Sequence, residues 1–491
     1  MRGTFVIAQM AIPDFLNPAA ASGRWTIGAV GLLILLFLIA RRRALAKAHA
    51  ARADEVEDIV MTFPKGAAGQ LTIEPWMISP EVSAVFAALM RDGKEARFIG
   101  GCVRNALMHL PIHDIDIATQ EPPDRVVALL EGAGIRAVPT GIEHGTITAV
   151  VNGKTFEITT LRRDISTDGR RATVAYTEDW REDAGRRDFT FNTLSADADG
   201  TIYDYFNGMQ DLAHRLIRFV GRAAERVSED RLRILRYFRF VAVYGMRIAD
   251  RYEFQIVVNN AEHLAELSAE RIRDELLKIV GSANHHDCVR MMFEQRIFEA
   301  ILPEVKDTVW YKRLSWLDSS AIKIAQVGPD PIRRLAALIE TDGAGAEAVA
   351  RKLKLSRAEI DRLRRIKSPD WVAKPETSEA ELRAVLSRLG AREVIDLALL
   401  EWSRRLIITP RLPKAETEAW QALLARAGTW EPIDLPIKGG DIVALGIAPG
   451  PRVSELLGGI EEWWRDGGCV ASRDACLTEL ASRMINNTDK E

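Results

Sequence analysis

The stretch Arg97–Thr119, RFIGGCVRNALMHLPIHDIDIAT, constrains this chain more than any other. Its apolar runs and paired glycines read as strand, tight turn, short helix and second strand, the last carrying Asp114 and Asp116. Residues i and i+2 of a strand project to one face, roughly 6 to 7 Å apart, so the two carboxylates point into one pocket. Acids so placed repel each other unless a cation lies between them. Magnesium, which takes carboxylate oxygens together with substrate phosphates, is the natural neutraliser, and a pair of such ions can clamp the attacking and leaving oxygens of phosphoryl transfer. Gly100 and Gly101 close the first strand, where bare backbone amides can approach a triphosphate.

A chain of 491 residues is long enough for about three domains. Its apolar content of 47% and charged content of 27% are those of a globular protein and exclude a disordered or fibrous class. A formal net charge of −3 excludes a uniformly basic surface but leaves room for a local basic groove, which is all a nucleic-acid partner requires. Cys102, Cys288, Cys469 and Cys476 lack the short paired spacing of a zinc site or a disulfide framework and point to a reducing compartment.

Residues 1–60 differ from the rest. Trp25–Ala40 is an uncharged, mostly apolar run followed at once by Arg41, Arg42 and Arg43. As a helix it spans roughly 24 Å against a hydrocarbon core of about 30 Å, which makes it a marginal spanning segment. The arginines would keep the bulk of the chain in the cytoplasm, anchored to the inner face of the membrane. Two other readings stand beside this one. A signal peptide would be cleaved near Ala44-Leu45-Ala46, although the arginine triplet argues against it. Translation from Met61 would make residues 1–60 upstream sequence.

Beyond this extension, the spacing of Val82, Val85, Phe86 and Leu89 predicts an amphipathic helix over 75–90. A further helix over 122–131 starts at a proline pair and stops at Gly132. Strands are expected at Ile135–Pro139, Thr146–Val151 and Lys154–Thr160, the last two joined by Asn152-Gly153, a pair that tolerates the positive φ of a tight hairpin. Residues 75–220 therefore read as a mixed-sheet α/β unit. Glu157 is either a solvent-facing residue of an alternating strand or a third acid that assists deprotonation of an attacking hydroxyl, depending on sheet order. Residues 162–188 are dense in charge and read as a solvated loop with a turn at Asp168-Gly169. Arg186-Arg187-Asp188, set against apolar Phe189, is the part of it best placed for phosphate or ribose contact.

Ser228 is expected to cap a helix whose first turn holds Glu229 and Asp230, with Arg233 on the same face. The group is either a surface salt bridge or an acid and arginine fixed to read the edge of a base. From there the chain is almost entirely helical. Ala269–Ile279 is amphipathic, with Glu275 and Lys278 on its polar side. His285, His286 and Asp287 lack a matching set for a metal and read as structural or solvent-exposed. Arg351–Ile366 carries seven lysines and arginines and is a solvated face or an RNA-backbone contact. Lys438–Pro451 reads as a glycine- and proline-rich turn between helices.

The ordered series Gly100-Gly101-Cys102-Val103-Arg104, Asp114-Ile115-Asp116, Arg186-Arg187-Asp188 and Glu229-Asp230-x-x-Arg233 resembles the class II tRNA nucleotidyltransferases, the CCA-adding enzymes, which share their family with bacterial poly(A) polymerases. The match runs from about Ala96 to Ser282, and Lys438–Leu457 also looks like the family's C-terminal part. The resemblance implies an α/β nucleotidyltransferase head of the DNA polymerase beta type (75–220), followed by an all-α neck with a nucleotide-selecting motif (221–285) and an RNA-binding body and tail (286–491). It implies Mg2+ on the catalytic acids Asp114 and Asp116, and nucleotide binding by Arg186, Arg187, Asp188, Glu229, Asp230 and Arg233; Gly100, Gly101, Arg104, Asn192 and Arg236 are further nucleotide-binding candidates and Glu157 a further catalytic one. Asp230 and Arg233 would pair with the base of CTP or ATP, Glu229 steadying Arg233, so that protein is the template for the tRNA 3′ end. The segment Asp164–Thr177 matches the family's flexible loop, which implies addition of A as well as C, and Glu270–Lys278 resembles its fifth motif. A poly(A) polymerase is the alternative within the family, and a non-catalytic membrane-tethered RNA-binding protein the alternative outside it. Three departures stand out: Asn105 where the family usually has aspartate, Asp204-Tyr205-Phe206-Asn207-Gly208 in place of Asp-Pro-x-Gly-Gly, and no HD-type phosphohydrolase segment after the neck.

Overall fold

The structure, a computed structural model, describes residues 67–142, 145–167, 172–282 and 286–488. Trp25–Ala40, the arginines and alanines that follow it, Met61, Asp168-Gly169 and His285 lie outside those residues. Among the described residues no helix is long and apolar enough to cross a membrane.

The strands in chain order are β1 (Ala67–Gln70), β2 (Ala96–Ile99), β3 (Asp116–Thr119), β4 (Arg136–Gly141), β5 (Thr146–Val151), β6 (Lys154–Thr160), β7 (Arg162–Thr167), β8 (Ala172–Tyr176), β9 (Ser195–Ala196) and β10 (Thr201–Tyr203). Eight of them form one sheet in the order β1-β10-β9-β2-β3-β6-β5-β4. All neighbours are antiparallel except β3 and β6. That parallel pair requires a crossover, which a helix and the two strands β4 and β5 supply. β5 and β6 have the expected limits, and Asn152 and Gly153 turn between them with φ of +50° and +80°. β9 and β10, of two and three residues, are too short to show an alternating pattern.

The first helices are α1 (Pro80–Leu89), α2 (Gly101–Leu107), α3 (Pro123–Gly132), α4 (Trp180–Gly185) and α5 (Gly208–Ala213). α1 starts at Pro80 rather than near 75, because the Ser79 hydroxyl accepts from the Val82 amide and a proline follows at the first helical position. Its apolar stripe Val82, Val85, Phe86 and Leu89 is buried, each side chain contributing about 2 kcal/mol, and Phe86 meets Phe98 of β2 at 4.6 Å between ring centroids. The charge-rich segment 162–188 is a β7–β8 ribbon followed by α4, not a loop. Alternating β-branched residues on either side of the Asp-Gly pair outweigh the charge count.

Four helices then stack beyond the sheet: α6 (Ala223–Glu229), α7 (Leu232–Tyr244), α8 (Arg251–Asn259) and α9 (Ala269–Gly281). Ser228 is not a cap. The good helix formers from Ala223 start the helix earlier, so Ser228 and Glu229 close α6, and extended Asp230 (φ −149°) separates it from α7. Glu275 does not face solvent either; it is buried and pairs with Arg239 of α7 at 2.8 Å. The basic stretch 351–366 is broken into Gly343–Lys352 and Arg357–Lys367, the second helix opening on a Ser356–Glu359 capping box. Gly439–Ala444 is a short helix, and the turn proper runs from Gly446 (φ +93°) to Pro451. The core is continuous from the sheet into the helices, with a smaller separate cluster around Ile442, Ile460 and Trp464.

A buried ionic network ties the later helices to α9. Arg334, fully buried, pairs with Asp318 and donates to the Val280 carbonyl at 3.1 Å. Arg333 and Arg362 share Asp396, and Arg362 also reaches Asp330 at 3.0 Å. Burial pushes the Asp330 carboxyl up, but hydrogen bonds from backbone and from Arg362 and Arg392 outweigh it and hold it at about 2. A depressed folded value stabilises above the unfolded value and is lost as pH falls through the folded one. Asp330→Asn keeps the helix cap but removes the charge, so it should cost about 2 kcal/mol at pH 7. Urea unfolding from pH 7 downward should show the difference between the proteins shrinking from about pH 4 to about pH 2; a constant difference would contradict the assignment.

Candidate active site

β2 delivers the chain to Gly100, which takes φ +64°, and α2 departs from the turn. A Cβ at Gly100 would lie 3.2 Å from Arg187 Nη1, so the turn needs glycine both for its dihedral and for the guanidinium beside it. The turn forms one wall of a cleft of about 470 Å³. Gly100, Gly101, Arg104, Asp116, Arg186, Arg187, Asp188, Asn192, Asp230, Arg233 and Arg236 all line it, together with Leu232, Arg239 and Arg271. Seven arginines face three aspartates there, a charge excess suited to a polyanion.

The acids stand at one edge of this cleft. β3 begins at Asp116, so Asp114 lies in the irregular segment before the strand, exposed, while Asp116 is half-buried. Glu157 of β6 is exposed and in register with Asp116 across the parallel pair, so it both faces solvent and stands beside that acid. Burial, then the nearby Glu157 carboxylate, push the Asp116 carboxyl up to about 6; Arg187 opposes them and Asp114 adds to them. Asp114 and Glu157 thus act on Asp116 but do not line the cleft itself.

Asp188 is buried and fully engaged. Its Oδ1 accepts from the Phe189 amide and Asn192 Nδ2, both at 2.8 Å, and its Oδ2 from Arg236 Nε at 2.6 Å. Burial would raise its carboxyl, but Arg236 and Asn192 hold it below the usual range. Asn192 Oδ1 in turn accepts from Arg104 Nη1 at 2.7 Å, and Arg104 Nη2 donates to the Tyr244 hydroxyl at 2.7 Å. One hydrogen-bonded chain therefore joins α2, the segment 188–192 and α7. Arg104 is buried against neutral acceptors, with Asn105 Oδ1 taking Nε and Nη2, and forms no ion pair among the described residues. Its guanidinium charge is left for a ligand. Asp204 braces the same region by accepting from the amides of Phe206, Gly208 and Met209, and a Cβ on Gly208 would collide with the Thr190 carbonyl at 2.3 Å.

On the opposite wall, Arg233 Nη1 meets Glu229 Oε2 at 2.6 Å and Nη2 donates to the Arg186 carbonyl at 2.9 Å. The Glu229–Arg233 spacing is as expected, but it bridges the break between two helices. Asp230 does not pair with Arg233: its Oδ1 caps α7 at Leu232, and its Oδ2 takes Arg271 of α9 at 2.7 Å. Glu229 stands behind Arg233, outside the cleft lining. Among the described residues no group of three or more His, Cys, Asp or Glu side chains is arranged to hold a metal ion.

Sequence reasoning missed Arg239, Arg271 and Asp183. Arg239 follows Arg233 and Arg236 at helical spacing, and Arg271 lies one turn before Glu275 on α9, so both were within reach of a face count. Asp183 is the more instructive omission. Buried in α4, it accepts from Arg186 Nε at 3.0 Å and Nη2 at 2.8 Å, and from Arg187 Nη2 at 3.2 Å. Burial would raise its carboxyl, and the two arginines bring it below the ordinary range instead. The i, i+3, i+4 spacing was visible, but only a helix gives it meaning.

Residues 96–218 match the family described as the poly A polymerase head domain, and 245–308 match the probable RNA and SrmB-binding site of polymerase A. The chain is 32% identical to the human mitochondrial CCA tRNA nucleotidyltransferase 1 over 427 residues, covering 82% of this chain and 92% of that enzyme. It is 38% identical over 231 residues to the CCA-adding enzyme of Oceanobacillus iheyensis, 46% of this chain and 56% of that one. The Bacillus stearothermophilus CCA-adding enzyme, solved in complex with CTP, superposes with a TM-score of 0.63 at 27% identity, covering 84% of this chain and 98% of that one. The Thermotoga maritima CCA-adding enzyme complexed with tRNA shares the fold at a TM-score of 0.53 and 18% identity, over 85% of this chain and 100% of that one.

Asp183→Asn keeps the size of the side chain but removes the charge that aligns two cleft arginines. Calorimetric titration with CTP and with pyrophosphate should show affinity falling about tenfold for both, equivalent to about 1.4 kcal/mol; unchanged affinity would contradict an aligning role.

Proposed function

We propose that this chain, which belongs to the CCA-adding tRNA nucleotidyltransferase family, adds C and A residues from CTP and ATP to the 3′ end of tRNA and releases pyrophosphate. The observation that carries the reading is a single cleft lined by Asp116, by a cluster of arginines and, on the far wall, by Asp230 and Arg233. A poly(A) polymerase would share the head, but the relatives identified over most of the chain are CCA-adding enzymes. A non-catalytic RNA binder has no need of the acids that crowd Asp116.

Arg104, Arg186, Arg187 and Arg236 take the triphosphate, their guanidinium forks matching its oxygens. The glycine turn lets the phosphates approach the backbone. Asp230 accepts from the exocyclic amino group of the base while Arg233 donates to the ring nitrogen beside it. Cytosine and adenine both present that donor next to an acceptor. Uracil and guanine would turn a carbonyl toward the carboxylate, so the pair selects by repulsion as well as by attraction. The tRNA 3′ hydroxyl attacks the α-phosphorus; its new P–O bond forms as the bond to the β-phosphate oxygen breaks, and its proton passes to a carboxylate of the acid edge, which we assign to Glu157. Asp114 and Asp116 would hold magnesium. Their all-oxygen donor set, and a burdened Asp116 carboxyl that a cation would relieve, fit an ion that takes one or two carboxylates and completes its shell with phosphate and water. Bound there, the metal supplies charge stabilisation to the oxygens of the reacting phosphate.

Asp116→Ala should reduce CTP incorporation into tRNA lacking its 3′ end by about a thousandfold or more, the scale expected on losing one electrostatic group of a preorganised site. CTP and tRNA affinities, measured by titration, should stay within about threefold. Retained turnover in this variant would sink the assignment.

A further inference from the structure

Arg104 is buried, and its guanidinium makes four hydrogen bonds among the described residues, none of them to a carboxylate. Nη1 donates to Asn192 Oδ1 at 2.7 Å and Nη2 to the Tyr244 hydroxyl at 2.7 Å, while Nε and Nη2 donate to Asn105 Oδ1 at 3.2 and 2.8 Å. The nearby Asp188 carboxylate is reached only through Asn192, which takes Arg104 on its oxygen and donates from its nitrogen to Asp188 Oδ1 at 2.8 Å. Burying a cation against neutral dipoles costs more than burying it against an opposite charge. The fold gains nothing from that arrangement, whereas a cleft that must hold an anion does.

Asn105 supplies two of those contacts and does not itself line the cleft. Its amide is used at both ends. Oδ1 faces Arg104, which has only donors, and Nδ2 donates to the Pro111 carbonyl at 2.9 Å, which only accepts. These partners fix the amide in one orientation. An aspartate of the same shape could take Arg104, but it would neutralise the guanidinium and turn its second oxygen against the Pro111 carbonyl. The backbone carbonyl of Asn105 also accepts from the Met108 and Leu110 amides, at 3.2 and 2.9 Å, so this residue secures the turn that ends α2. Pro111 lies in the irregular segment that leads through Asp114 to β3. One side chain therefore connects the arginine wall of the cleft to the segment that carries an acid.

We infer that Asn105 is a positioning residue for nucleotidyl transfer, a neutral clamp that orients Arg104 toward the phosphates of the nucleotide without neutralising it and that holds the segment leading to Asp114. The inference rests on the proposed function, since it takes the anion met by Arg104 to be the triphosphate. Charge and position can be separated at this residue. Asn105→Asp keeps the shape and the contact to Arg104 but adds a charge. Asn105→Ala removes the side chain and leaves the charge of Arg104 free. Both lose the contact to Pro111.

The test uses the full chain, with Kd for CTP and for pyrophosphate from calorimetric titration, and kcat and KM for CTP from incorporation into tRNA lacking its CCA end. Asn105→Asp should weaken CTP and pyrophosphate binding about tenfold each and raise KM for CTP to match. Asn105→Ala should change these affinities by less than about threefold. In both variants kcat should fall about fivefold, from the shared loss of the Pro111 contact. If the truncated variant fails to fold, Asn105→Ser, which keeps a small neutral acceptor, takes its place with the same expectation. A role in packing alone predicts the opposite order, with alanine losing more affinity than the nearly isosteric aspartate. That order, wild-type pyrophosphate affinity in Asn105→Asp, or wild-type kcat in both variants would overturn the inference. Wild-type protein that binds CTP without extending tRNA would refute the proposed function instead, while the pyrophosphate affinities of the variants would still judge Asn105.

Discussion

Asp188 lies buried where the sheet meets the first long helix beyond it, and its two oxygens are held from opposite sides. Asn192 and the Phe189 amide occupy one, Arg236 of α7 the other. Because Asn192 also takes Arg104, and Arg104 reaches Tyr244, this carboxylate helps set the spacing between α2 and α7 across the cleft. A buried ion pair of this kind adds little net stability, since desolvation offsets much of its attraction, but removing one partner leaves an isolated buried charge at a cost of several kcal/mol. Its value is in geometry. Asp188, expected from sequence as a ribose or phosphate contact, lines the cleft and also holds Asn192 and Arg236 in place.

The same economy of charge runs through the site. Asp183 faces two arginines with one carboxylate, Glu275 engages Arg239, and Arg104 meets only neutral acceptors, so the cleft retains positive charge despite its internal pairs. Burial and the neighbouring guanidinium of Arg239 lower the proton affinity of Arg104, the sign of a cation held where another anion is wanted. At the opposite edge Asp116 has the reverse problem, a carboxyl raised by burial and by other acids. In the proposed function, a triphosphate with its metal would relieve both. The substrate completes an electrostatic arrangement that is unbalanced without it, which is the condition for strong, oriented binding.

Much of this was legible before any coordinates. The glycine turn and the hairpin at Asn152-Gly153 each follow from a local rule and appear where the rule puts them, whereas Asp114 falls before the strand that Asp116 opens and the Glu229–Arg233 contact bridges two helices instead of lying on one. What escaped reading depended on tertiary partners. Alternation marks Glu157 as solvent-facing, which it is, but only the order of strands sets it beside Asp116. The Ser228 cap failed because helix formers upstream claimed that residue for the preceding helix. Glu275 and Arg362 look like surface charges by composition, and only the arginine or aspartate that folds against each makes burial tolerable. The charge-dense stretch 162–188 concealed a hairpin for a related reason: its strand pattern was present, but charge was weighted above alternation.

In the proposed function Asp230 and Arg233 read the base, so the account stands or falls on whether protein alone chooses the nucleotide. Incubating the wild-type chain with tRNA lacking its CCA end and an equimolar mixture of ATP, CTP, GTP and UTP, then sequencing the extended 3′ ends, puts that question directly. The account predicts products that end in C, C, A and stop there, with U and G at background. Runs of A, or U and G entering as readily as C, would contradict it.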